Sequence, residues 1–347
     1  MKAATMTVSE REAPCPPSPV VKGLTWAPPE SIERRVLGPY ISSWGRKDGS
    51  DNWPVTWADD GEIYTTYGDG YGFDPIIDHK LGMGVARVRG WARSFVGENV
   101  RSDIENDKHG ESGKKGHGIL CVGGVLYLWA FHADNRGGGS LLAVSHDKGV
   151  HWTYQDWAFL EFGLCGFVNY GRDYEGARDE YVYSYSHDGA LGRLPADRFV
   201  MMRVPKDRIC ERDAYEFFVS RDADGGARWT RDVGEAGAVF EHPDACGRSA
   251  MTYNPYVKRY FWWQQVHNPA DVKDRADTRF EGGFGIYDAP EPWGPWTTVY
   301  FTPKWDVGPG EHGDFPAKWM SEDGQSMYLV FSGDDNFCVR EARLERY

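Results

Sequence analysis

The chain has 347 residues, a formal net charge of −13, 15% aromatic residues, 42 glycines and 20 prolines. An acidic balance of this size argues against nucleic acid or an anionic membrane surface as a partner, and no run of about eighteen apolar residues is present to cross a bilayer. Scarce helical periodicity with abundant Gly, Pro and aromatic residues points to many short strands joined by tight turns.

Residues 1–30 are Pro-rich and polar and read as an N-terminal tail, with 31–347 as a single domain. The opening MKAATMTVSEREAPCPPSPVVKG lacks the apolar centre of an export signal, so the chain as written is expected in the cytoplasm, with secretion as the alternative. Cys15, Cys121, Cys165, Cys210, Cys246 and Cys338 are scattered without CxxC spacing, which supports free thiols rather than a zinc site or a disulfide framework.

Asp51 to Gly70, DNWPVTWADDGEIYTTYGDG, reads as a hairpin: Val55 and Trp57, then Ile63, Tyr64 and Tyr67, around the Asp59-Asp60-Gly61 turn. The same grammar returns as GHGILCVGGVLYLWAF from Gly116, as FVNYGRDYEGARDEYVYSYS from Phe167, as GRSAMTYNPYVKRYFWWQQ from Gly247 and as DFPAKWMSEDGQSMYLVFSG from Asp314. Repetition at a spacing of roughly 65 residues predicts an all-β, five-bladed β-propeller with long inter-blade loops. In that fold the polar start of each blade lines an axial mouth, which singles out Asp51, Asn52 and Asp314.

Between the first two repeats, RSDIENDKHGESGKK is too charged for a core and long enough to reach over a face. Ser145 to Trp152 (SHDKGVHW) resembles the Asp-box of sialidase-type propellers, a surface turn in which Asp147 would bond backbone amides and Trp152 pack inward, with no chemistry assigned to either. The third repeat gathers Asp173, Arg178, Asp179 and Glu180 at its turn before Tyr181, Tyr183 and Tyr185; Asp179 and Glu180 read as a solvated turn, while Asp173 and Arg178 stand equally between turn and site. Arg203 lies in an apolar strand and needs a carboxylate or the channel as its partner.

The strings DNWPVTWADDG, GARDEYVYSYSHD, MMRVPKDRI, AYEFF, GGFGIYDAPEPWGPWTTVYF and FPAKWMSEDGQSMYLVFSGDDNFCVR together resemble the family catalogued as domain of unknown function 4185, across about residues 40 to 345. That resemblance implies a glycoside-hydrolase-like propeller, some of whose members are endo-D-arabinanases, and a catalytic first-blade aspartate at the position of Asp51. The chain departs from the family wording at Gly116-His117-Gly118 and at His132.

Glycoside hydrolysis needs one acid to protonate the leaving oxygen and one carboxylate to activate water or attack the sugar. Asp51, Asp173 and Asp314 are the candidate catalytic carboxylates. Asn52, Trp53, Tyr71, His117, Asn169, Arg178, Tyr185, Arg203, Arg248 and Lys318 are the candidate substrate-binding residues. The expected partner is a poly- or oligosaccharide; no cofactor is required, and an axial metal ion is left open. Two alternatives stand beside the hydrolase: a polysaccharide lyase in which Arg203 and Arg248 neutralise a uronate beside a His117 or Tyr185 base, and a non-catalytic carbohydrate-binding propeller.

Overall fold

Alternating apolar residues and Gly- or Asp-bearing turns give twenty-three strands and only short 3-10 turns in the computed structural model, which describes residues 12–35, 49–266, 282–306, 310–333 and 335–347. The strands form antiparallel meanders in chain order. The first is β3 (Val55–Trp57), β4 (Ile63–Gly70), β5 (Leu81–Arg89) and β6 (Val96–Val100); the second is β7 (Lys115–Val122), β8 (Val125–Phe131), β9 (Ser140–Ser145) and β10 (Thr153–Phe159). The third runs β11 (Gly166–Asn169), β12 (Tyr181–His187), β13 (Ala196–Pro205), β14 (Glu216–Arg221) and β15 (Ala227–Thr230), with β16 (Ala238–Cys246) paired on β13. The fourth is β17 (Ser249–Asn254), β18 (Arg259–Val266), β19 (Gly283–Ala289) and β20 (Thr297–Thr302).

The last meander is β21 (Gly310–Asp314), β22 (Ser326–Gly333) and β23 (Phe337–Arg346), and its outer strand is β1 (Val21–Trp26) from the other end of the chain. β2 (Glu33–Arg35) also pairs with β23, and Pro17 bridges to Thr298. The segment read as a tail therefore contributes a strand; its residues 1–11 lie outside the described residues.

The first strand of each meander faces a common axis, and each touches the next. Cys121 N donates to Thr56 Oγ1 at 3.0 Å, Asn169 Nδ2 to the Ile119 carbonyl at 3.4 Å, and Val168 and Asn169 pair in parallel with Met251 and Thr252. Thr252 Oγ1 then donates to Asp314 Oδ1 at 3.2 Å, and Val55 N to Asp314 Oδ2 at 3.2 Å, which closes the ring. Close approach of these strands needs glycine: a Cβ on Gly118 would stand 2.7 Å from the Gly166 Cα.

Aromatic residues fill the wedges between meanders. Trp53 packs on Tyr67, Phe73 and Phe337, Trp129 stacks on Phe167 at 5.8 Å, Trp262 meets Tyr185 at 5.1 Å, and Trp305 stacks on Phe331 at 5.5 Å. Each ring buries about 150–250 Å², worth an upper figure of about 4–6 kcal/mol at 25 cal/mol per Å². The glycines of the β3–β4 and β7–β8 turns have φ of 86° (Gly61), 59° (Gly123) and 77° (Gly124), left-handed values that a side chain resists. All six cysteines are free thiols.

Candidate active site at the axial mouth

The inner strands all start at one end of the ring, so the residues opening them converge there. Asp51 precedes β3 and is fixed by a two-way bridge to Gly68, its N–H donating to the Gly68 carbonyl at 3.0 Å and its carbonyl accepting from Gly68 N at 2.8 Å. Gly68 also makes room for the carboxylate, since a Cβ there would lie 2.8 Å from Asp51 Oδ1. Lys115 opens β7, Arg248 precedes β17, and Glu311 and His312 belong to β21. Asp51, Glu311 and Asp335 each bring one carboxylate oxygen within 4.8 Å of the other two.

Two buried cations hold this acidic ground together. Arg248 Nη1 lies 3.0 Å from Glu311 Oε2, with side chains 13% and 4% exposed. Lys115 Nζ lies 2.6 Å from Asp69 Oδ2, and His109 Nδ1 lies 3.0 Å from Asp69 Oδ1. The three oxygens around Asp51 would suit a hard divalent cation, and the Arg248 guanidinium neutralises part of their charge through Glu311.

Asp51 and Asp69 are driven in opposite directions. Burial, reinforced by the Asp69 and Asp335 charges, raises the Asp51 pKa above the ordinary carboxylate range against the pull of Lys115 and Arg248. Burial also works to raise Asp69, but Lys115, His109 and Lys80 outweigh it and hold that carboxyl below the ordinary range. Of the two, Asp51 is the carboxyl whose surroundings favour the protonated form and Asp69 the one whose surroundings favour the ionised form.

The histidines nearby are neutral. Burial, with Arg248 and His187 adding to it, lowers the His117 pKa to about 3. Its Nδ1 is 3.2 Å from the Cys165 carbonyl, which can only accept, so Nδ1 carries the proton and Nε2 the lone pair. His312 faces it edge-on at 5.4 Å and is pushed well down by burial, then by His117 and Arg248. Asp51 Oδ1, both side-chain polar atoms of Asn52, His117 Nε2, both His312 nitrogens and Ser249 Oγ are buried without a protein hydrogen-bond partner among the described residues. Unmet polar groups gathered at this end of the ring make it the candidate site for a polar ligand.

Other sequence candidates scatter. Asp173 lies at the opposite end of the ring, where its Oδ1 accepts from Gly124 N at 2.9 Å and lies 3.3 Å from Cys121 Sγ. Lys115 and Cys121 are on the same strand, and six steps at about 3.3 Å put Asp173 roughly 20 Å from the mouth. Lys318 is at that turn end as well, 3.3 Å from Glu62 Oε2. Arg178 pairs with Glu291 at 3.3 Å over the Trp293 ring, and Arg203 is spent on Glu216 at 2.8 Å between the Tyr181 and Trp229 rings, on strands away from the axis.

Asp314 is buried one level below the mouth as the clamp between β3 and β17, and burial raises its pKa to about 7. Asn169 bridges β11 to β7, Tyr185 donates its hydroxyl to the Ser249 carbonyl at 2.9 Å, and Trp53 is core. Tyr71 is buried beside Gly70 and Gly72, its carbonyl taking Asn99 Nδ2 at 2.8 Å. Asn52, His117 and Arg248 do gather with Asp51; Asn52 adopts the left-handed φ of 52° that asparagine tolerates. His132 bonds the Gly113 carbonyl at 2.9 Å through Nδ1.

Sequence reasoning did not single out Asp69, Lys115, Glu311, His312 or Asp335. A usable signal existed for two of them: Lys115 stands directly before the inner strand GHGILCV, and Glu311 directly before HGD in the strand that opens the last repeat. At the surface, Asp147 accepts from His151 N at 2.9 Å, Ser145 Oγ accepts from Gly149 N at 2.9 Å, and Trp152 packs inward.

No family model matches the chain, and no curated protein sequence matches it. Solved structures do. An α-L-arabinofuranosidase from Podospora anserina, in complex with cellotriose, superposes with a TM-score of 0.51 at 9% identity over 94% of this chain and 98% of its own. The catalytic domain of a GH62 α-L-arabinofuranosidase from Coprinopsis cinerea gives 0.52 at 9% over 93% and 97%. An N-acetylgalactosamine deacetylase from F. plautii, in complex with blood group B trisaccharide, gives 0.54 at 12% over 92% and 95%. At these identities the likeness is one of fold, and it makes this chain an all-β propeller like those enzymes.

Proposed function

We propose that this chain is a carbohydrate-active hydrolase, a five-bladed propeller in which each meander is one blade, cleaving a glycosidic bond of a poly- or oligosaccharide at the axial mouth. The observation that carries the reading is the opposite displacement of Asp51 and Asp69 beside a ring of buried, unmet polar atoms. Paired groups pushed apart in this way divide into an acid and a base. Asp51, the carboxyl whose burial favours the protonated form, donates its proton to the leaving oxygen; Asp69, which Lys115 favours in the ionised form, takes the proton of the attacking water or attacks the anomeric carbon itself.

Glu311 and Asp335 have a different part. Their oxygens lie within 4.8 Å of Asp51, tighter than the gap of about 5 to 9.5 Å in which two carboxyl groups flank a sugar. They act with Asp51 as one anionic cluster that favours the shared proton, and Arg248 limits its charge. Asn52, His117 and His312 offer donors and acceptors to sugar hydroxyls.

The fold neighbours that act on arabinofuranosides, together with the wording shared with the domain of unknown function 4185 family, make an arabinan-type glycan the first substrate to try. The lyase reading has lost its pair of arginines, because Arg203 is bound to Glu216, and its Tyr185 base already donates to Ser249. Incubation with arabinan-type and uronate-containing polysaccharides tests the choice. New reducing ends without an unsaturated-uronate absorbance support hydrolysis; that absorbance overturns it, and no product from either leaves the binding propeller.

A further inference from the structure

A cavity of about 240 Å³ opens where the loop between the first two meanders meets β10. It is tied to the mouth by sequence: successive side chains at the start of β7 point to opposite sides. Lys115 reaches Asp69 at the mouth, while Lys114 turns into this cavity and donates to Asn135 Oδ1 at 2.8 Å. The Lys114 ammonium lies 5.7 Å from the centroid of Tyr154, which walls the cavity.

The lining decides what the cavity can take. Lys108 and Lys114 bring two positive charges, Asp103 and Glu105 two negative ones. The four charges sum to zero and favour neither a cation nor an anion, whereas a neutral polyol can donate to the acids and accept from the ammonium groups. Acceptors stand in the lining: Asp103 is exposed, and Asn135 Oδ1 already takes the Lys114 ammonium. Glu105 Oε2 is meanwhile held by Arg101 at 2.6 Å, which orients the carboxylate. The volume equals the share of about eight waters at 30 Å³ each, smaller than a drug-sized pocket and suited to one sugar ring. Tyr154 supplies an apolar edge for the ring's C–H face.

We propose that this cavity is a distal subsite for one neutral sugar residue of the glycan whose bond is cleaved at the mouth. Its occupant rests on the glycan-hydrolase reading, but its binding does not require catalysis. Chain-length preference follows: a glycan long enough to reach from the mouth to Lys114 gains contacts that a short one lacks.

The test uses the full chain with lysines reductively dimethylated with ¹³C, the Lys114 resonance being identified by its loss in Lys114→Arg. L-arabinose, D-galactose, D-galacturonate and D-glucosamine are titrated into wild type, Asp51→Asn, Asn135→Ala and Glu105→Gln. The expected result is a saturable shift of the Lys114 signal by the neutral sugars, unchanged in Asp51→Asn and weakened at least about fivefold in the other two variants. A shift by galacturonate alone or glucosamine alone overturns the neutral-sugar assignment, and no shift with any probe overturns the subsite. Hydrolysis without Lys114 shifts sinks the subsite alone, whereas Lys114 shifts without hydrolysis sink the catalytic reading alone.

Discussion

Replacing Lys115 by Met removes the group that separates Asp69 from Asp51, and the size of the effect can be worked out in advance. The ammonium lies 2.6 Å from Asp69 Oδ2, with side chains 6% and 28% exposed. Removing one partner of a buried ion pair costs about 3–5 kcal/mol, and solvent reaching Asp69 argues for the lower end, about 3 kcal/mol. The sign follows from Asp69 being lowered in the folded state. Its stabilisation is complete above the unfolded value of about 3.9 and is lost as pH falls through the folded value. Lys115→Met should therefore be less stable than wild type by that amount at pH 6–7 in urea titrations, with the gap closing towards acid. The acidic limb of kcat/KM on the cleaved glycan should move to higher pH. Lys22→Met, which breaks a pair 54% and 59% exposed, serves as control and should leave the urea midpoint where it is. A lost stability with an unmoved acidic limb would remove Asp69 from the reaction, and no change in either would refute the buried ion pair itself.

Asp51→Asn imitates the protonated acid, so it should melt within a few degrees of wild type while kcat falls about 10²- to 10⁴-fold; near-normal turnover ends its role as proton donor. Asp314 has a folded pKa of about 7 against about 3.9 unfolded, so the folded chain keeps a proton the unfolded chain loses, and wild-type stability should fall by up to about 4 kcal/mol from pH 4 to 7. Asp314→Asn should flatten that decline in urea unfolding at several pH values. Gly118→Ala forces a Cβ to within 2.7 Å of the Gly166 Cα and should cost about 1–3 kcal/mol in a thermal melt. Asp173→Asn weakens a turn contact by about 1 kcal/mol and should leave turnover as it was.

The repeat was legible because its turns obey local rules. Asp59-Asp60-Gly61 and Gly123-Gly124 demand left-handed backbone, and apolar strands on either side left few other arrangements. Strands that depend on remote partners were not. Val21–Trp26 has the half-exposed pattern of an outer strand in a Pro-rich neighbourhood, and only β23, at the other end of the chain, makes it one. Ala238–Cys246 contains His242-Pro243-Asp244, which reads as a breaker, yet it pairs with β13 around register shifts at Ala196/Arg198 and Phe199/Val200.

The site was legible only where a strand start stood in for geometry. Asp51 and Asp314 stand at equal distances before their turn glycines, and the equality misleads because the fifth hairpin holds a 3-10 turn, Ala317–Trp319, between its two strands. Asp314 is consequently the last residue of its inner strand and serves as a clamp, and Glu311 occupies the mouth in its place. The density of charge around Asp173 and Arg178 was real but belonged to contacts between neighbouring turns, where Arg172 holds the Asp59 carbonyl at 2.9 Å and Asp173 holds Gly124. Division of labour between acid and base could not be read from residue type at all. Asp51 and Asp69 are identical side chains flanking one hairpin, both pushed towards the neutral form by burial. What separates them is Lys115, delivered by the first strand of the next meander and brought to 2.6 Å of Asp69 only when the first two meanders pack together. The catalytic polarity proposed for this chain would thus be a property of the contact between two repeats, and neither repeat would carry it alone.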